Sequence, residues 1–194
     1  HVHQPIARID SLKEGDRIRT PHGFEPVIGR LHADPDIVAP YYLFHHHNGS
    51  VPMAISDDHW MFLDGVEADP AFATVGQSVS TPDGARAITK IEYVRQRGAY
   101  HIVTPSGAYY VDGVLASTYF AGFNLTKQLW GYIELSATVR YRLGVPILPQ
   151  GECPVSYIWL PDLLTLYGPE LLPSWVSGRT VFSGMGTRRW ESRL

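Results

Sequence analysis

The chain is nearly without cysteine. Its 194 residues hold one, Cys153, so no disulfide can close within it, and a lone thiol says little about redox compartment. Charge of one sign is also missing: Lys and Arg number 16 against 19 Asp and Glu, a formal net charge of -3. With no basic block, neither a nucleic-acid partner nor strong attraction to an anionic membrane surface is expected. No apolar run reaches the length a bilayer span needs. The chain opens on His1 rather than Met, and its front has no charged-then-apolar signal pattern. A mature chain or a piece of a longer precursor is expected. No internal repeat and no low-complexity block is legible. What is present is a globular composition, 44% hydrophobic and 18% charged, long enough for one domain with a sizeable core or one domain plus a small appendage.

Turn signals crowd the first 120 residues: "PHGF", "ADPD", "HNGS", "LDGV", "TPDGA", "TPSGA", "VDGV". Between them lie β-prone runs, among them "DRIRT", "EPVIGRL", "YYLFHH", "VPMAIS", "HWMFL", "AITKIEYVR", "AYHIVT" and "AYYV". Asn48-Gly49 between two such runs is the strongest short hairpin signal, and "AYHIVTPSGAYYVDG" reads as a second hairpin. Many short strands at close spacing indicate an all-β fold and not a parallel α/β sheet. From Asn124 the period changes. Leu125, Leu129, Tyr132, Ile133, Ser136, Val139, Arg140 and Leu143 fall near helical spacing. Asn124 suits an N-cap, and Gly144 with Pro146 suits a stop. The Leu-, Pro- and Trp-rich "LPDLLTLYGPELLPSWV" then reads as short turns. The expected organisation is a β domain over 1–123 and a helical or irregular C-terminal appendage over 124–194.

The stretch "ISDDHWMF", Ile55 to Phe62, carries polarity into an apolar strand. Ser56 and His59 stand three apart, so a flat strand sends them to opposite faces. A bulge or turn at Asp57-Asp58 brings them to one side. The ordinary reading is a turn followed by a semi-buried histidine. "SLKEGDRIRTPHG" taken alone is structural punctuation, and "VDGVLASTYF" is a turn leading to a strand with small central residues, where something approaches closely.

Together and in this order these stretches resemble one family, the Hint (Hedgehog/intein) domain of the Hedgehog C-terminal autoprocessing type. "DSLKEGDRI" is similar to its (D)L(R/K)xGDxV segment, "SDDHWMFLDG" to its TxxHxxFV block and "VDGVLASTYF" to its VxGVxASCYA block. The likeness spans about residues 6–123. It implies an all-β, pseudo-two-fold horseshoe of short strands. It also implies autocatalysis: a cysteine that opens the domain attacks the preceding peptide carbonyl, and a hydroxyl acceptor or water then releases the N-terminal precursor segment from the thioester. Such chemistry needs an activated nucleophile, a stabilised oxyanion and a proton for the leaving nitrogen. His59 matches the family histidine and is expected to handle that proton. Ser56 matches the family threonine, which bonds at the scissile peptide, and keeps its hydroxyl without the stiffening methyl. If the likeness extends to Hedgehog proteins themselves, a sterol or other lipid acceptor and the secretory pathway or extracellular space follow.

Three departures stand out. The block with the nucleophilic cysteine would lie upstream of His1. The family's late cysteine falls at Thr118. The aspartate that activates a sterol hydroxyl falls at His32 in "RLHADPD", or at Asp34 if the register slips by two. His32 is retained as a third catalytic candidate, against an ordinary strand-end histidine. Cys153, far past the β core in "GECPVS", reads as an ordinary small residue. His45-His46-His47 invites a metal, since His45 and His47 share a strand face, but no Cys pair or HExxH accompanies them. No metal site and no cofactor is assigned. Asn124-Leu125-Thr126 fits a glycosylation acceptor. The leading expectation is a self-cleaving Hint domain. The alternative is a degenerate, non-catalytic Hint module in a larger assembly, with a metal-dependent hydrolase a distant third.

Overall fold

The computed structural model describes residues 6–47, 51–120 and 127–144, with the backbone alone at positions 31, 32, 128 and 129. Among these residues lie ten strands and one α-helix. The fold is all-β, as the turn spacing indicates.

Two Asp-Gly pairs do what their residues dictate. Asp64-Gly65 joins β5 (His59–Leu63) to β6 (Val66–Ala68), and Asp112-Gly113 joins β9 (Ala108–Val111) to β10 (Val114–Phe120). The aspartates have φ of 50° and 48° and the glycines 77° and 78°. Both central residues are left-handed, which matches the twist of an antiparallel hairpin. The predicted hairpin at Asn48-Gly49 also forms in outline. β3 (Gly29–His46) pairs antiparallel with β4 (Met53–Ser56), Phe44 facing Met53, while residues 48–50 lie outside the described set.

The "ADPD" signal proves not to be a turn. β3 runs through it for 18 residues and pairs along most of its length with the 20-residue β8 (Gly84–Val103). The pairing register shifts between Asp34 and Val38. There the Asp34 carboxylate accepts hydrogen bonds from the Asp36 and Ile37 amides at 2.9 and 3.1 Å. The aspartate satisfies locally the backbone groups that the bulge removes from the ladder. Across from it Gly98 has φ +90°, and a Cβ there would stand 3.0 Å from the Tyr100 ring. Tyr41 closes the crossing by donating its hydroxyl to the Gly98 carbonyl at 2.9 Å. Burial pushes that phenol up to about 12.

A repeat hidden in the sequence appears in the hydrogen bonds. β1 (Arg17–Thr20) and β2 (Gly23–Pro26) meet at Thr20-Pro21-His22-Gly23. β7 (Ser78–Thr81) and β8 meet at Thr81-Pro82-Asp83-Gly84. In each corner the threonine hydroxyl donates to the glycine carbonyl and accepts from the amide two residues on. The entry to each corner matches too. Gly15 and Gly76 amides donate to Val27 and Ile88 carbonyls, and Val27 and Ile88 amides donate to Asp16 and Gln77 carbonyls. The second copy runs 61 positions after the first (Thr20 to Thr81, Gly15 to Gly76). Only the Thr-Pro-x-Gly turn and the glycine at 15 and 76 survive as sequence identity between the two corners, which is why no repeat is legible by eye.

β1 and β2 make a two-stranded sheet, and the other strands form one sheet of order β4-β3-β8-β7-β5-β10-β9, with β6 added on β5. β8 changes partners along its length: its first residues pair with β7 and the rest with β3. One core gathers Phe44, Met53, Ile55, Met61, Leu63, Val79, Ile88 and Val114. A second, of Ile28, Val103, Tyr119, Trp130 and Ala137, is shared with the helix.

That helix, α1 (Lys127–Arg142), lies inside the expected 124–144 stretch, and Gly144 follows it with φ +67°. Asn124 lies outside the described residues. The buried face is turned from the one the spacing picks out. Trp130, Ser136, Ala137 and Arg140 are buried, whereas Tyr132, Val139 and Leu143 face outward with Leu135. Trp130 sets the rotation, because its indole has the most apolar area to bury. Arg140, 4% exposed, pairs with Glu14 at 2.5 Å and donates to the Ile28 carbonyl. A guanidinium this deep needs that many acceptors to offset its desolvation. Residues 145–194, with Cys153 and the Leu-rich stretch, are outside the described set.

Candidate functional site

Ser56 ends β4 and His59 opens β5, with Asp57-Asp58 turning between them. The turn does what a flat strand cannot. The Ser56 hydroxyl and His59 Nδ1 stand 2.6 Å apart. Ser56 is buried, and His59 is half-buried. The hydroxyl therefore fixes the imidazole from its inner side.

A residue not singled out in the sequence completes the arrangement. His101, in β8, is 1% exposed. Its ring lies on that of His59 with centroids 4.6 Å apart and planes 29° from parallel. Phe120, opposite His59 in the β5–β10 register, closes over both rings at 4.8 Å from His59 and 6.0 Å from His101. Trp130 of α1 meets His101 edge-on at 5.6 Å. His101 Nε2 lies 2.8 Å from the Thr118 carbonyl. A carbonyl can only accept, so Nε2 carries a hydrogen, and in the neutral ring Nδ1 holds the lone pair. The sole sequence signal for His101 is an imidazole within the apolar "AYHIV". Nothing local connects it to His59, 42 positions earlier.

Thr118, at the place of the family's late cysteine, is fully buried and donates its hydroxyl to Glu134 of α1. Its neighbour Ser117 turns the other way and gives its hydroxyl to Glu67 at 2.5 Å. Strand β10 is thus held on both sides by carboxylates. For His32 the structure gives a backbone place: it pairs with His101 across the β3–β8 ribbon, while its side chain is outside the described set. Asp34, the alternative, has its carboxylate engaged at the bulge described above. His45 is taken up by Glu92 at 2.6 Å, and Glu92 also holds Lys90 at 2.9 Å. Lys90 first, then His45, keeps that carboxylate below its usual range. The histidine run is therefore part of the ribbon's surface pairing.

No protein-family model and no curated protein matches the chain. Among solved structures, the gp41-1 intein is similar with a TM-score of 0.50 at 17% identity, covering 56% of this chain and 84% of that one. A bacterial intein-like domain from Clostridium thermocellum gives 0.46 at 15% identity over 56% of this chain and 86% of that one. The VidaL intein gives 0.45 at 18% over 52% and 68%. At such identities what is shared is the fold. The chain has the Hint fold of the gp41-1 intein.

Proposed function

We propose that this chain carries a self-processing Hint domain of the Hedgehog kind, which cleaves the peptide bond joining it to a preceding segment. The observation that carries the reading is the Ser56–His59 contact at 2.6 Å, made at a strand junction and backed by His101. In this reaction a thiol upstream of His1 attacks the carbonyl carbon of the preceding residue. The sulfur–carbon bond forms and the carbon–nitrogen bond breaks. The nitrogen leaves as an amine with a proton from His59, and the proton lost by the thiol restores the imidazole. Water or a hydroxyl compound then takes the acyl group and frees the thiol. A sterol or other lipid is one such acceptor, with the base at position 32 activating its hydroxyl. Ser56 orients the His59 ring, and His101 holds it from behind.

The test is to produce the chain with its natural upstream residues and follow cleavage by intact mass. His59→Ala is expected to abolish cleavage, while Ser56→Ala slows it by roughly tenfold to a hundredfold, the loss typical of a misplaced catalytic group. Cleavage undiminished in His59→Ala overturns the reading. An upstream stretch with no nucleophile, and no cleavage, favours the alternative of a non-catalytic module in a larger assembly.

A further inference from the structure

The helix meets His101 through Trp130, and one carboxylate of the helix ties that indole to β10. Glu134 lies one turn after Trp130 on α1, so the two side chains share a face. Trp130 Nε1 donates to Glu134 Oε1 at 2.9 Å. Thr118 donates its hydroxyl to the same oxygen from β10. Each of these two residues touches His101, Trp130 at the ring edge and Thr118 through its carbonyl on Nε2. The approach is close enough to constrain a neighbour. Gly107 has φ +73°, and a Cβ there would lie 3.0 Å from the Glu134 oxygen. The Gly107 carbonyl in turn accepts the Thr118 amide at 2.9 Å. Glu134 thus ties together Trp130 and Thr118, the two residues that hold His101 from the helix and from β10.

We propose that Glu134 is a positioning residue: it fixes Trp130 and Thr118 against His101, and through His101 sets the plane and place of the His59 ring. This rests on the self-processing reading given above. It makes α1 a support for the imidazole pair. Glu134 needs oxygen geometry for this role, not charge. A glutamine carbonyl can accept the same two hydrogens, whereas alanine leaves a buried N–H and O–H without their acceptor.

The experiment uses the full chain with its upstream residues, labelled with carbon-13 in the histidine rings. In Glu134→Gln, the His101 and His59 ring resonances are expected at their wild-type positions with cleavage near the wild-type rate. In Glu134→Ala, the His101 ring resonances move, those of His59 follow, and cleavage falls by roughly tenfold or more. Methyl resonances of Ile88, Val79 and Val114 in the distant core stay in place, which separates displacement from unfolding. Unmoved His101 resonances in Glu134→Ala overturn the proposal. So does a Glu134→Gln variant as impaired as Glu134→Ala. If the wild-type chain does not cleave itself, the functional reading fails, while the ring resonances still decide whether Glu134 holds His101.

Discussion

Replacing Trp130 by alanine tests how tightly the helix belongs to the β framework. The indole is 2% exposed, and it meets His101 edge-on at 5.6 Å and Tyr119 at 5.8 Å. A buried tryptophan hides about 200 Å², worth about 5 kcal/mol at about 25 cal/mol per Å². Part of that area is already shielded in the unfolded chain, which brings the figure to about 4 kcal/mol, within the range of about 3–5 seen for such truncations. Loss of the hydrogen bond to Glu134 adds to this, but Glu134 keeps the Thr118 hydroxyl. With a urea slope of about 2 kcal/mol per M, the unfolding midpoint of the full chain drops by about 2 M. Strand circular dichroism and tyrosine fluorescence should report the same midpoint, because the shared core of Ile28, Val103 and Tyr119 belongs to the strands. A loss below about 1 kcal/mol, the ordinary scale of a surface change, refutes the reasoning. So does a strand transition that ignores the substitution.

The two threonine corners make a matched pair. Thr20→Val and Thr81→Val each remove a hydroxyl bonded to a glycine carbonyl and should cost about 1 kcal/mol. Thr20, 3% exposed, should cost the more by urea denaturation, since its former partners have less access to water; equal or neutral effects overturn the assignment. Tyr41 sets a pH limit. Its folded pKa stands near 12 against an ordinary 10.0, so the unfolded chain releases this proton first. Its contribution is complete below pH 10 and is lost progressively from there to about 12. Urea midpoints should fall over that window and fall less steeply in Tyr41→Phe; an equal slope rules the assignment out.

What the sequence discloses depends on how local the cause is. The Asp64-Gly65 and Asp112-Gly113 turns are readable because two adjacent residues settle their conformation. The helix is readable in extent from its stop at Gly144. Its orientation is not, because Trp130 and not the average spacing decides which face is buried. "ADPD" misleads for a related reason. The same residues that make a turn also make a bulge, and the choice is set by Gly98 on a strand far along the chain. Ser56 and His59 are close in sequence and meet across one turn. His101 and Glu134 join them only through the β5–β10 and β8–β3 pairings and the docking of α1, which no window of the sequence contains.

The long ribbon of β3 and β8 has a consequence for timing. β3 ends at His46 and β8 begins at Gly84, so during synthesis the earlier strand, paired only with β4 along Tyr41 to Phe44, waits for its long partner while the intervening hairpins are made. Bringing such distant segments together is slow relative to local turns. His59 acquires its backing ring once residue 101 has arrived, and the clamp on that ring closes after Glu134 has followed. Under the proposed self-processing, the segment ahead has that interval in which to fold before cleavage becomes possible.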